Sequence, residues 1–281
     1  MKKILIKCSI YLAIFAVLSF FLFPIYWIFR LSISPQSLVY EYPPPLFFMP
    51  QMKNFKDILF SKVFVFARPY PHYFMNSLIV SLTSTTIALI IGTLAAYGLV
   101  RFKFKGSKSI AFFILSTLFA PPAAYVIPIF LLIRSIGLLD TQLGLALIYL
   151  TFNVPFTTWL MRGIIKEVPV EIEEAAMIDG CSRMGVLGRI TLPLVKTGLA
   201  AAAIFDLAIS WNEYLFASVL TATKSTTLPV TMAAFASSSV KPVYWGYVAS
   251  SAVLIMLPMI VFAFFAQRYI VRGFALGAVK G

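Results

Sequence analysis

The sequence predicts an all-α polytopic membrane protein with six transmembrane helices. Three observations predict it. Hydrophobic residues make up 60% of the 281 positions, charged residues only 12%, and the apolar residues gather into six stretches. These run roughly 10–33, 76–100, 109–134, 143–164, 197–220 and 247–270, each near the ~20 residues that a bilayer core requires. A soluble domain is about half apolar and about a quarter charged. The mean hydropathy of +0.93 therefore excludes a soluble globular enzyme. The 27 Phe exclude a disordered chain. Cys8 and Cys181 are too few for a disulfide framework and carry no metal-ligand spacing.

The first stretch follows Lys2, Lys3 and Lys7, as a signal peptide would. Its apolar run exceeds an h-region of about 7–15 residues and no A-x-A site follows, so it reads as a retained helix at 10–33. With the N-terminus inside, 15 of the 23 basic residues fall on one side of the membrane: Lys2, Lys3, Lys7, Arg101, Lys103, Lys105, Lys108, Arg162, Lys166, Arg183, Arg189, Lys196, Arg268, Arg272 and Lys280. Lys and Arg gather on the cytoplasmic side, which puts both termini there, in the plasma (inner) membrane. The same rule accounts for the net charge of +13 without nucleic acid. Residues 34–75 form an extracytoplasmic loop rich in Pro and aromatics. The loop 221–246 lies on the same side, and the only long cytoplasmic segment is 165–196. No repeat or linker divides the chain, so 1–281 is one membrane domain with a core at 72–270. Ala88, Gly92 and Ala96 recur every fourth residue, as do Gly198 and Ala202. Such spacing suits close helix packing in lipid; Ala as plain helix filler is the alternative.

The cytoplasmic segment 169–193 has its own pattern. Pro169 suits a helix start, and Glu171, Glu173 and Glu174 put negative charge near the positive helix end. Gly180 suits a left-handed stop, and Ser182 a second N-cap, with a second short helix ending before Pro193. A lipid-surface helix wants a basic polar face and large apolar residues. Glu with Ala suits a basic groove on a protein partner instead.

Glu174-Ala175-Ala176, three residues, Gly180, nine residues, Ile190, one residue, Leu192-Pro193 resembles the EAA loop of ABC-importer permeases. The resemblance extends over most of the chain: Asn76-Ser77-Leu78, Ala95-Ala96-Tyr97, Arg101-Phe102, Ile127-Pro128, Gly137-Leu138-Leu139-Asp140-Thr141, Ser210-Trp211-Asn212-Glu213 and Gln267-Arg268-Tyr269. It is similar to the smaller permease subunit of carbohydrate importers of the maltose type. The stretch 60–72, with Arg68, Pro69, Pro71 and His72, departs from the family pattern.

The resemblance implies a type I ABC-importer permease fold with cytoplasmic EAA coupling helices. It implies a transport component, not an enzyme, that passes a sugar or oligosaccharide delivered by an extracytoplasmic solute-binding protein. It also implies a second permease subunit forming a heterodimer, and two copies of a cytoplasmic ABC ATPase that carry the ATP and Mg. In that family Glu174, Ala175, Ala176 and Gly180 would seat in the ATPase, and Ile190, Leu192 and Pro193 would anchor the second arm; simple packing is the other reading of these last three. The residues 277–281 would reach toward the ATPase pair. A permease for another small solute (amino acid, polyamine or phosphate) is the alternative, and a secondary transporter would need an ion site and usually an inverted repeat.

The sequence has no G-x-x-x-x-G-K-[ST], so it carries no P-loop of its own. His72 is the single histidine, and no metal-ligand set accompanies it. Polar residues inside spans are functional candidates because burying them is costly. Asp206, Ser210 and Glu213 at i, i+4 and i+7 fall on one face of a continuous helix, beside Trp211 and Asn212. Asn153 with Pro155 predicts a helix irregularity lining the same cavity. Lining the translocation pathway and bonding to neighbouring helices are both open to this set.

Overall fold

The computed structural model describes residues 2–45, 47–60, 68–102, 104–237 and 243–277. Lys62, Lys103, Lys241 and the tail 278–281 lie outside the described residues, as do 61–67 and the side chains of Lys2, Lys3, Arg268 and Arg272. The described chain is helical, with no strand among its residues. The helices are α1 (Lys2–Ser32), α2 (Lys53–Phe60), α3 (Tyr70–Arg101), α4 (Ser107–Ser116), α5 (Pro122–Ser135), α6 (Gln142–Glu167) and α7 (Val170–Ile178). They continue as α8 (Arg183–Val186), α9 (Leu192–Leu194), α10 (Lys196–Asn212), α11 (Leu215–Leu220), α12 (Leu228–Ser237) and α13 (Trp245–Gly277).

Four of these helices are long and apolar enough to cross a bilayer, or up to six spans if each of two bent pairs counts as one. The expected straight span at 109–134 is one of the bent pairs. Ser107–Phe119 and Pro122–Ser135 meet at 96°. Pro121 pushes its neighbour out of the helical region, and Ala120 is extended at ψ 123°. The other pair, Arg183–Leu194 and Lys196–Asn212, meets at 80°. The expected fifth span at 197–220 is likewise interrupted, because α10 stops at Asn212 and α11 starts afresh at Leu215. The second span begins at Tyr70, earlier than expected, with Tyr70 and Tyr73 buried.

The chain forms two compact units. One comprises Met1–Pro71 and Thr231–Leu257. Within it, Asn54 Nδ2 donates to the carbonyls of Ser32 (2.9 Å) and Ser34 (3.0 Å), tying α2 to the end of α1. Gly246 passes so close to Asn54 that a Cβ there would stand 2.6 Å from Nδ2. The Arg30 guanidinium lies over Trp27 and Phe48 and donates to the Pro45 carbonyl. Tyr70 and Ser251 share a hydroxyl hydrogen bond of 2.7 Å.

The other unit comprises His72–Val230 and Pro258–Gly281, and α3, α6 and α10 carry its core. The small-residue spacing is used for contact here. Ala88 and Ala96 are fully buried, and a Cβ on Gly92 would meet Thr157 Cγ2 of α6 at 2.6 Å. Gly198 does the same between α10 and α6, where a Cβ would stand 2.3 Å from Ile164 Cδ1. The helix irregularity expected at Asn153 and Pro155 is absent. α6 runs unbroken from Gln142 to Glu167, with α3 and α10 packed along it. Packed neighbours sustain a proline-bearing helix that would bend alone.

Candidate functional site

Segment 169–195 folds as a helical hairpin. Pro169 precedes the first turn of α7, where Glu171 and Glu173 face the positive helix end. Gly180, at φ 91°, ends α7 in the left-handed region. The Gly180 amide donates to the Met177 carbonyl and the Cys181 amide to that of Ala176, the two bonds of a Schellman stop. Ser182 then caps α8, its Oγ accepting from the Gly185 amide. The second arm does not end before Pro193, as expected. It passes through a π-helical turn at Leu187–Thr191 and α9, and breaks at Val195. The missing proline amide coincides with a turn already wider than α, so Pro193 is accommodated at the start of α9.

One buried ion pair holds this hairpin. Arg101, the last residue of α3, donates through Nε to Glu173 Oε2 at 2.9 Å and through Nη2 to Oε1 at 3.0 Å. Their side chains are 6% and 4% exposed. Nη2 also donates to the carbonyls of Ile165 (3.1 Å) and Val168 (2.9 Å), which cap the end of α6. Thr191 Oγ1 donates to Glu173 Oε1 at 2.8 Å. The π-helical turn thus supplies the fourth element of a junction joining α3, α6, α7 and the second arm. A buried charge survives when it is paired and its remaining bonding positions are filled, and both conditions hold here.

The neighbouring acid points the other way. Glu174 and Ala175 are exposed, as is Gly180, while Ala176 is half-buried. On the second arm Ile190 and Leu192 are half-buried, Leu192 against the cluster of Tyr97, Met161, Ile165 and Leu187; Pro193 is exposed. Spacing alone does not separate Glu173 from Glu174. Arg101 stood among the topology charges, and Thr191 carried no sequence signal. The usable sign for Arg101 was its position as the first base directly after an apolar run.

The polar residues of the spans divide into two groups. Asn153, Asp206 and Ser210 come together between α6 and α10, all buried. Asn153 Nδ2 donates to Ser210 Oγ at 2.7 Å, and Thr157 Oγ1 to Asp206 Oδ2 at 2.5 Å. Ser84 of α3 joins through Ser210 at 3.2 Å. Thr157 and Ser84 are members that sequence reasoning missed. Asn153 Oδ1 and Asp206 Oδ1 are buried without a partner. Trp211 is buried edge-on to Phe74, whereas Asn212 is exposed and donates to the Ala208 carbonyl.

Glu213 does not share the face of Asp206 and Ser210. The helix has ended, and Glu213 is extended at ψ 128°. Its carboxylate accepts the amides of Phe216 (2.8 Å) and Ala217 (3.0 Å), which α11 leaves free at its start, and the Tyr149 hydroxyl (2.9 Å). Satisfying that helix start outweighs continuing α10.

A further anchor stands ahead of the N-terminal end of α6. Asp140, at φ 52°, accepts the backbone amides of Ala222, Thr223, Lys224 and Ser225. Burial alone would raise its carboxyl, but these four amides outweigh burial and hold it well below the usual carboxylate range. Asn76 donates to the carbonyls of Lys224 and Thr226, and Ser77 Oγ accepts from the Leu228 amide. Asp140 and Asn76-Ser77 therefore hold the segment 222–228. Among the described residues no three of His, Cys, Asp or Glu stand together as metal ligands.

Residues 88–275 match the family described as "Binding-protein-dependent transport system inner membrane component". The chain is 37% identical over 270 residues to the trehalose transport system permease protein SugB of Mycobacterium tuberculosis, covering 94% of each. It is 31% identical over 264 residues to the trehalose/maltose transport system permease protein MalG of Thermococcus litoralis, covering 92% of each. Among solved structures it resembles a chain of the bacterial alginate ABC transporter in complex with alginate pentasaccharide-bound periplasmic protein. There the TM-score is 0.68 at 16% identity, over 95% of both chains.

Two outcomes follow from this geometry. Arg101→Gln strands Glu173 as a buried anion and costs about 3–5 kcal/mol, whereas Arg101→Met with Glu173→Leu recovers most of that loss. Thermal unfolding of the detergent-purified protein checks it; an unchanged midpoint in Arg101→Gln removes the junction. Asp140→Asn costs about 1.5–3 kcal/mol at pH 7, the worth of hydrogen bonds to a charged group. Because the folded carboxyl is depressed, the wild-type advantage is full above the unfolded value near 4 and fades as pH falls toward the folded value. Unfolding midpoints measured from pH 7 to pH 3 test this, and a gap that widens on acidification has the wrong sign.

Proposed function

The chain belongs to the family of binding-protein-dependent transport system inner membrane components, and from that premise we propose that it is a permease subunit through which an ABC importer passes a sugar or oligosaccharide. The observation that carries the mechanism is the split between adjacent acids, Glu173 buried against Arg101 and Glu174 exposed. The hairpin is the lever of the machine. Glu174, Ala175 and Ala176 seat in a basic cleft of a cytoplasmic ATPase, of which two copies bind ATP and Mg. Gly180 sets the bend, and Ile190, Leu192 and Pro193 pass the motion into α10. Movement of the hairpin pulls on the ends of α3 and α6 through Arg101, because a bidentate pair resists sliding. ATP-driven closure of the ATPases then turns the helices so that the pathway opens outward, toward a loaded solute-binding protein. Hydrolysis resets it.

In this reading a second permease completes the pore, both termini and the hairpin are cytoplasmic, and the membrane is the plasma (inner) membrane. Support for the orientation comes from the basic residues clustered at the hairpin end. Support for a sugar comes from relatives named for trehalose and maltose. Asn153, Asp206 and Ser210 form the polar part of the pathway wall. The unpartnered oxygens of Asn153 and Asp206 support this, since a buried acceptor gains from a donor such as a sugar hydroxyl or a water. Trp211, Asn212 and Glu213 shape the wall where α10 gives way to α11.

Glu174→Lys leaves the protein in the membrane but abolishes ATPase recovery and uptake. Affinity purification of the permease from detergent, followed by ATP-driven uptake in proteoliposomes, measures both. Full ATPase recovery ends the docking role, and ATP-driven uptake of an amino acid, polyamine or phosphate with no sugar uptake ends the sugar assignment. Asp206→Asn and Glu213→Gln, measured separately, each lower the uptake rate by about tenfold, or ~1.4 kcal/mol in the barrier. Unchanged uptake in both variants removes the pathway assignment.

A further inference from the structure

The hairpin end of α6 carries a groove that the proposed coupling does not involve. α4 packs on α6 there. A cavity of about 150 Å³ between them is lined by Lys108, Phe112, Leu115, Trp159 and Arg162, among others. A second cavity of about 440 Å³ continues along α6, lined by Trp159, Arg162, Gly163, Lys166 and Glu167. Trp159 and Arg162 belong to both, so the two are adjoining parts of one groove. Trp159, Arg162 and Lys166 recur at i, i+3 and i+7, on one side of α6. Gly163 leaves the space beside them open.

Charge and solvation make this groove unlike an ordinary helix end. It presents three bases against one acid, Glu167. Arg162 is half-buried, yet among the described residues it has neither an ion pair nor a hydrogen bond to a protein group. A partly desolvated guanidinium is costly unless an anion meets it, and its fork suits a phosphate. The depth is that of a membrane interface. Ile165 and Val168, whose carbonyls cap α6 through Arg101, flank Lys166 in sequence. Trp159 is half exposed one turn further into the apolar span, the level at which indole rings settle in bilayers. The walls Phe112, Leu115 and Trp159 are apolar, which a soluble phosphate does not need and an acyl chain does.

We propose that this groove is a binding site for the phosphate headgroup of an anionic phospholipid. Arg162 takes the phosphate in bidentate fashion, and Lys108 and Lys166 flank it from α4 and α6. Phe112, Leu115 and Trp159 receive the first carbons of the acyl chains. The lipid neutralises this cluster of bases, and it links α4 to α6 beside the hairpin junction. Basic pockets between spans at the membrane interface are built for such headgroups.

The test uses the complete importer purified in mild detergent, exposed to phosphatidylglycerol or phosphatidylcholine of equal chain length and weighed by native mass spectrometry. The wild-type complex retains phosphatidylglycerol in preference to phosphatidylcholine. Arg162→Gln lowers that preference about tenfold, or ~1.4 kcal/mol, and Lys108→Gln, an exposed position that leaves folding intact, lowers it in the same direction. The loop variant Lys105→Gln retains the wild-type preference. Equal lipid retention in Arg162→Gln and wild type overturns the proposal. So does a photo-cross-linker at position 162 that reacts only with a partner subunit, since an acidic protein segment would then be the occupant. A negative sugar-uptake result leaves the lipid site standing.

Discussion

A guanidinium and a carboxylate, both almost wholly out of water, organise this molecule. Arg101 ends one span, and its Nε and Nη2 serve Glu173 and the two carbonyls that finish another span. Thr191 adds the second arm through the same carboxylate. Removing Arg101 or Glu173 leaves its partner as a buried, unpaired charge. That cost ties the ends of α3 and α6 firmly to the hairpin, as the proposed lever requires. As a source of stability the pair is replaceable, since a well-packed apolar substitute of similar volume can be as stable.

The two ends of α6 solve the same problem with opposite chemistry. Beyond its C-terminal end, a cation collects carbonyls. Ahead of its N-terminal end, the anion of Asp140 collects four amides of the segment 222–225. Between them, α6 meets α3 at Gly92 and α10 at Gly198, where a Cβ would run into the side chains of Thr157 and Ile164. Lipid offers no hydrophobic drive for such contacts, so close packing and buried hydrogen bonds have to supply it. The seam of Ser84, Asn153, Thr157, Asp206 and Ser210 contributes the bonds. Two of its oxygens, Asn153 Oδ1 and Asp206 Oδ1, stay buried without a partner.

Glu213 shows why the polar residues of a span are harder to read than its apolar ones. Asp206, Ser210 and Glu213 satisfy a helical spacing, yet the helix stops one residue short of Glu213. The carboxylate is drawn to the free amides of α11 and to Tyr149, partners that periodicity cannot display. Asn153 and Pro155 err in the opposite direction, since two helix-weakening residues sit in an unbroken α6 because neighbours support it. Gly180 and Ser182, by contrast, were legible because a left-handed stop and an N-cap are decided within a few residues.

What the sequence determined by itself was the medium, the helical class and the bent hairpin with its family spacing. Each of these rests on local composition or on intervals within one short segment of the chain. Which of three neighbouring glutamates is buried, where Arg101 spends its donors, and where the fifth span breaks were decided by tertiary structure alone. Arg101 and Glu173 lie 72 residues apart in the chain. An isolated helix has no reason to prefer Glu173 over Glu174 until a cation arrives from another span, and that arrival depends on how three helices pack.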